Sequence, residues 1–204
     1  TEPPMKTIKV GAGDAELSLG GETVLFRHEK TFVSRTRYAM SLCTCMDDET
    51  VAQKLEDIKK VDYERIGERM FVEMVYVNYS ADGKQDYVEL GKKAAETGRI
   101  LILDCKDAEI AKAALEVCKD GKPILNGADA SNYEAMNAVA TAAGVVLGVS
   151  GADLSEIHDT VEKLEGLGNK NLVIDVTGAD VKETFKNAVQ IRKAAIKDGD
   201  RTFG

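Results

Sequence analysis

Apolar positions change rhythm near residue 38. Before it, Met5–Gly11, Ala15–Leu19 and Thr23–Phe26 are short β-prone runs parted by Gly11-Ala-Gly13 and Gly20-Gly21. They predict a small antiparallel ribbon behind a Thr1–Pro4 tail whose two prolines cannot start regular pairing. After it, short dense apolar runs alternate with longer segments. The runs are Tyr38–Cys45, Phe71–Asn78, Ile100–Cys105, Pro123–Gly127, Val145–Ser150 and Leu172–Val176. Near-continuous hydrophobicity over so few residues predicts strands buried on both faces. The longer segments are Asp48–Ile66, Tyr87–Thr97, Ala108–Cys118, Ser131–Ala143, Leu154–Leu167 and Val181–Lys197. Within them Ile110, Ala113, Ala114 and Val117, and Leu154, Ile157, Val161 and Leu164, recur at helical spacing. Asp107, Ser131 and Asp153 stand where N-caps belong, and Gly98, Gly121, Gly144 and Gly168 where helices close.

Six βα units in succession predict a parallel sheet with right-handed crossovers. A doubly wound nucleotide-binding sheet carries GxGxxG after its first strand. Here that strand runs into Leu42-Cys-Thr-Cys-Met-Asp47 without a glycine, Gly11-Ala-Gly13-Asp-Ala-Glu16 lacks the third one, and no GxxxxGK[ST] occurs. The strand starts are about 27 residues apart on average. Two further units would give about 258 residues, near the ~250 of a closed (β/α)8 barrel. The predicted fold is therefore α/β: a TIM-type barrel cut after six units, with residues 1–37 as linker and β ribbon and 38–204 as the barrel part. Such a cut leaves two open strand edges, which aggregate or recruit a partner.

Composition narrows the function classes. The 204 residues carry 27 Lys+Arg against 35 Asp+Glu, a net charge of −8, which argues against a nucleic-acid partner. The mean hydropathy is −0.22, and the longest nearly apolar stretch, around 138–149, is broken by Thr141 and glycines, too short to cross a bilayer. No signal-peptide pattern opens the chain, so the expected compartment is the cytoplasm. Cys43, Cys45, Cys105 and Cys118 form no CxxC and are read as reduced, buried thiols without a zinc-ligand pattern.

The C-terminal ends of barrel strands are where such barrels place working groups. Those ends carry Asn78, Asp104, Asn126, Ser150 and Asp175. Carboxylates and amides side by side suit the mixed donor and acceptor edge of a pterin. Equally, βα loops are polar in any barrel, and an Asp there caps the next helix. Arg27-His28-Glu29-Lys30 is the densest charge cluster, either a partner surface or an ion-paired lid on the barrel bottom. His158 is expected to face solvent or a neighbouring helix, with no second ligand nearby. The glycine-containing loop Val149-Ser-Gly-Ala152 could hold a phosphate on its amides. No GxSxG hydrolase elbow is present.

One stretch carries a resemblance. Gly21-Glu-Thr-Val-Leu-Phe-Arg-His-Glu-Lys-Thr-Phe32 resembles the GGETxxxRHEKTF segment of the large (gamma) subunit of the corrinoid/iron-sulfur protein in the carbon monoxide dehydrogenase/acetyl-CoA synthase (acetyl-CoA decarbonylase/synthase) system. Asn132–Met136, Asn171–Asp175, Gln190–Ile196 and Arg201–Gly204 resemble it in the same order. The resemblance implies a central TIM barrel, flanked in the family by a [4Fe-4S] domain and a corrinoid-binding domain. It covers only the linker and the first six βα units, so neither cofactor is expected in this chain. It implies a carrier that moves a methyl group on cobalt from a methyl-pterin to acetyl-CoA synthase. The implied partners are the small subunit, a methyltransferase and acetyl-CoA synthase. The alternative is an enzyme: a pterin-binding methyltransferase barrel acting on a corrinoid protein.

Overall fold

The structure is a computed structural model that describes residues 6–21 and 36–204. The resembling segment from Glu22 to Phe32, with the Arg27–Lys30 cluster and the expected Thr23–Phe26 strand, lies outside the described residues.

The chain opens with an antiparallel hairpin, β1 (Thr7–Val10) and β2 (Leu17–Gly20). The βα series follows: β3 (Ala39–Cys43), α1 (Asp48–Lys60), a second hairpin β4 (Asp62–Arg65) and β5 (Glu68–Phe71), β6 (Met74–Asn78), α2 (Tyr87–Ala95), β7 (Ile100–Asp104), α3 (Ala108–Cys118), β8 (Ile124–Ala128), α4 (Tyr133–Ala143), β9 (Val146–Val149), α5 (Leu154–Gly166), β10 (Leu172–Ile174) and α6 (Val181–Lys193). Six strands form one parallel sheet in the order β3-β6-β7-β8-β9-β10. Spatial order equals chain order with no reversal. A doubly wound sheet reverses at its switch point, so this sheet is an arc of a barrel.

Strand alternation then sorts side chains into two layers. Outward-pointing Val75, Val77, Leu101, Leu103, Leu125, Leu147 and Val149 pack under the helices with Leu90, Ala111, Leu115, Met136, Ile157 and Leu164. Inward-pointing Met74, Ile100, Ile124 and Val146 form a separate cluster with Val10 of β1, packed by Ile8, Ala15, Leu17 and Leu19. The first hairpin thus plugs the N-terminal end of the arc, fastened by Gly11 N donating to the Lys122 carbonyl at 2.9 Å. Five of the six described α-helices carry an aspartate cap: Asp47, Asp86, Asp107, Asp153 and Asp180 each accept backbone N–H groups of the first turn.

Four expectations need correction. The first helix stops at Lys60 instead of Ile66, because residues 62–71 form the β4–β5 hairpin. Its turn residues Ile66 (φ 53°) and Gly67 (φ 74°) are both left-handed, the pattern of a type I′ hairpin turn. Arg69 clamps Asp62 across the strands at 2.6 and 2.8 Å. Ser131 caps nothing; its own N–H goes to Asp129 Oδ1 at 2.9 Å, and α4 starts after Asn132. Gly121 is not the left-handed residue after α3, since Lys122 takes that conformation (φ 44°). Finally, Cys43 and Cys45 are joined as a disulfide instead of standing as separate thiols. The chain turns at Thr44, with Met46 N donating to the Cys43 carbonyl, and brings Cys45 back over Cys43. Cys105 and Cys118 are free and buried, as expected.

Candidate functional site

The inward-facing positions turn polar at the C-terminal ends of the strands. Register puts Cys43 beside Asn78, Asn78 beside Asp104, and Asp104 beside Asn126. One side chain organises the group. Asn126 is 6% exposed, and its amide Nδ2 donates to Asp104 Oδ1 and to Asp175 Oδ2, both at 3.0 Å. A single amide thus joins two carboxylates, one at the end of β7 and one just after β10.

Local sequence explains how Asn126 reaches both. The β8–β9 register slips between Leu125 and Ala128, which inserts an extra residue into β8. A bulge of this kind re-aims a side chain. Gly127 makes it feasible, because it sits at φ 109° and a Cβ there would lie 2.8 Å from the Cys105 carbonyl oxygen. On the next strand Gly148 leaves the space that Asn126 fills; a Cβ on Gly148 would lie 2.2 Å from Asn126 Oδ1. Asp175 follows β10, held by its N–H to the Val149 carbonyl at 2.8 Å, and its Oδ1 accepts from Thr177 N at 2.9 Å.

Of the residues expected here, the structure brings Asp104, Asn126 and Asp175 into direct contact. Asn78 lies next to Asp104 in register but turns the other way, its Nδ2 3.7 Å from Cys43 Sγ. Ser150 leaves the ring: its N–H donates to the Ala128 carbonyl at 2.8 Å, and it lines a separate polar cavity with Lys106, Asp129, Ser131 and Glu156. The neighbouring loop does not offer its amides freely, since Ala152 N donates to Glu156 Oε2 at 2.6 Å. Three participants escape sequence reasoning. Tyr76 sits two residues before Asn78 on the same inward face, near Asp104 and Asn126; burial first, then the neighbouring Asp104 carboxylate, pushes its hydroxyl well above the ordinary tyrosine range. Cys43 and Gly148 are the others. Strict alternation back from Asn78 would have found Tyr76.

His158, expected to lack a nearby ligand, has three carboxylates around it. Its Nε2 is 3.5 Å from Asp200 Oδ2, and its Nδ1 lies 3.9 Å from Asp159 and from Glu162. The ring packs edge-on against Phe203. Among the described residues no helix is long and apolar enough to cross a membrane.

Comparison with known proteins fits this architecture. Residues 7–204 match the family described as CO dehydrogenase/acetyl-CoA synthase delta subunit. The corrinoid/iron-sulfur protein large subunit of Moorella thermoacetica is 33% identical over 203 residues, covering 99% of this chain and 46% of that protein. The acetyl-CoA decarbonylase/synthase complex subunit gamma of Methanothermobacter thermautotrophicus is 29% identical over 98% of this chain and 45% of its own length. The chain thus spans about half the length of these relatives. Among solved structures, dihydropteroate synthase from Thermus thermophilus superposes with a TM-score of 0.60 at 14% identity, covering 92% of this chain and 71% of that one. A second structure of that enzyme, in complex with 4-aminobenzoate, gives a TM-score of 0.57. At that identity the likeness speaks for the fold alone: the six-strand arc is part of a TIM-type barrel. The family match over nearly the whole chain, with relatives named both large and gamma subunit, settles the relationship: this chain belongs to the CO dehydrogenase/acetyl-CoA synthase delta subunit family.

Proposed function

We propose that the chain is the barrel part of a corrinoid/iron-sulfur methyl-carrier subunit, which takes part in moving a methyl group from a methyl-pterin to acetyl-CoA synthase. The observation that carries this reading is the family match across residues 7–204. On this reading residues 1–37 are a linker and ribbon and 38–204 the barrel unit. The corrinoid and the [4Fe-4S] cluster belong to other domains of the carrier, and the barrel works as a cytoplasmic scaffold against the small subunit, in reach of a methyltransferase and acetyl-CoA synthase. The described cysteines offer a cluster little: Cys43 and Cys45 are bonded to each other, and Cys105 and Cys118 are buried. Mixing the chain with the small subunit and following sedimentation tests it. A stable complex supports the scaffold role; two independent species overturn it.

The ring favours a second, compatible reading: Asn78, Asp104, Asn126 and Asp175 hold a pterin. Asp104 and Asp175 keep acceptor capacity beyond their Asn126 bonds, since a carboxylate has about four lone-pair sites. The 2-amino and ring N–H groups of a pterin are donors of the matching kind, and its carbonyl can take an amide N–H. Titration of 5-methyltetrahydrofolate by calorimetry tests this with wild type, Asp104→Ala and Asp175→Ala. Each lost charge-assisted hydrogen bond is worth ~1.5–3 kcal/mol, so affinity should fall at least tenfold in each variant. Absence of saturable binding, or equal binding in all three, overturns the pterin reading. Turnover with methyl-pterin and free cobalamin would make the barrel an enzyme in its own right.

A further inference from the structure

The Cys43–Cys45 pair lies at the rim of the ring, and neither reading above uses it. Cys43 is buried on the inward face, Cys45 is exposed, and one residue separates them. Closing so short a loop removes little chain entropy, so the bond contributes little to holding the fold together. What it fixes is local. The two Cα atoms are 5.1 Å apart, whereas residues i and i+2 of an extended strand are about 6.6 Å apart. The bond holds the chain bent at Thr44.

Thr44 is fully buried and is the hub of the β6–α2 loop. Its carbonyl accepts from Lys84 N at 2.7 Å and Gln85 N at 3.0 Å. Its hydroxyl accepts from Ser80 N at 2.8 Å and donates to the Ser80 carbonyl at 3.2 Å. Its N–H donates to the Asn78 carbonyl at 3.1 Å. Gly83 packs so tightly on it that a Cβ there would lie 2.4 Å from Oγ1. Whatever bends or straightens residues 43–45 therefore moves the loop that follows Asn78.

We propose that Cys43–Cys45 is a reversible dithiol/disulfide site, reduced by a dithiol, whose oxidation state sets the order of the loop spanning residues 79–86 at the mouth of the barrel. The exchange balances. A thiolate of the reductant attacks the exposed Cys45 sulfur, and the Cys43–Cys45 bond breaks. Cys43 leaves as a thiolate and takes a proton from solvent. The second thiolate of the reductant then attacks its own mixed-disulfide sulfur, releasing Cys45, which is protonated in turn. Two electrons pass from the dithiol, which becomes a cyclic disulfide, to the Cys pair. Two donors face the departing sulfur: Cys45 N–H at 3.2 Å and Asn78 Nδ2 at 3.7 Å from Cys43 Sγ. Donors of this kind favour a thiolate and so a better leaving group.

This inference does not depend on what the ring binds. The full chain is equilibrated in oxidised or reduced dithiothreitol, its free thiols are counted by alkylation in denaturant, and amide hydrogen exchange is followed by mass spectrometry. Two alkylatable thiols are expected in the oxidised chain and four in the reduced one. Exchange across residues 79–86 is expected to speed up threefold or more on reduction and to recover on re-oxidation, while α3 to α5 stay unchanged. Cys45→Ser is expected to behave as the reduced chain in both buffers. Four free thiols under oxidising conditions, or an exchange difference below threefold between the two wild-type states, overturns the proposal.

Discussion

Gly148→Ala is the sharpest probe of the ring's packing. The added methyl would sit 2.2 Å from Asn126 Oδ1 and 3.0 Å from Asn126 Cα. The first clash could be relieved only by swinging the amide away from Asp104 and Asp175. The second involves backbone, so β8 and β9 would also have to part. Overpacking of this kind costs ~1–3 kcal/mol, and each charge-assisted hydrogen bond weakened adds up to ~1.5–3 kcal/mol. A total near ~3 kcal/mol is expected, and in a domain of this size it lowers Tm by about 6–12 °C. Circular dichroism melts at fixed protein concentration measure it. Gly166→Ala, which meets nothing within 4 Å at the end of α5, is the control and should leave Tm unchanged or higher. Gly148→Ala combined with Asn126→Ala should cost at least ~1 kcal/mol less than the sum of the single variants, because the smaller side chain vacates the contested space. A Gly148→Ala melt within about 2 °C of wild type, or strict additivity, would refute the packing described for Asn126.

Three further outcomes follow from the same geometry. Burial pushes the hydroxyls of Tyr76 and Tyr87 far above the ordinary tyrosine range, Tyr76 being helped by Asp104. Because the folded value is the higher one, their contribution to stability is complete below the unfolded value of ~10 and is lost as pH rises beyond it; ultraviolet titration should show two of the six tyrosines ionising only on alkaline unfolding. Burial raises the Cys118 thiol to about 11 and also raises Cys105, so in the native chain at pH 8 neither should react with iodoacetamide until denaturant is added. Glu73, 5% exposed, receives Arg37 Nη1 at 3.1 Å and Tyr38 N at 3.1 Å; Arg37→Met should destabilise the fold by about 1–3 kcal/mol in urea unfolding, discounted from the full buried-pair penalty because Arg37 is 29% exposed.

How legible all this is in the sequence depends on the range of the interaction. Apolar runs bounded by glycine and aspartate mark the six strands and helices because burial on both faces leaves a strong local signal. The β4–β5 hairpin is hard to read because Ile66 at φ 53° is a conformation β-branched residues rarely adopt, so only Gly67 hints at a turn. Asp104, Asn126 and Asp175 can be placed at strand ends, since barrel geometry assigns those positions in advance. Their mutual bonding cannot, because it depends on a bulge at Asn126–Gly127 and on the missing side chain of Gly148 one strand away. The Cys43–Cys45 bond is hidden for a similar reason. Read as an extended strand, positions 43 and 45 share a face but lie too far apart; the turn at Thr44, anchored by a loop some 40 residues later, brings them together.

The two ends of the sheet obey opposite chemistries on the same inward-facing positions. At the N-terminal end Met74, Ile100, Ile124 and Val146 close on the first hairpin as an apolar plug. Two to four residues further along these strands, Asn78, Asp104 and Asn126 present amides and a carboxylate, joined by Asp175. A barrel serving only as a spacer would gain by continuing the apolar layer, since burying polar groups costs free energy unless every one is paired. Here the pairing needs a bulge and two glycines, and it still gathers two carboxylates around one amide. Two carboxylates that share one amide donor keep lone pairs for a ligand that brings donors between them. That remaining acceptor capacity at the mouth is the physical reason to test a pterin there before treating the barrel as scaffold alone.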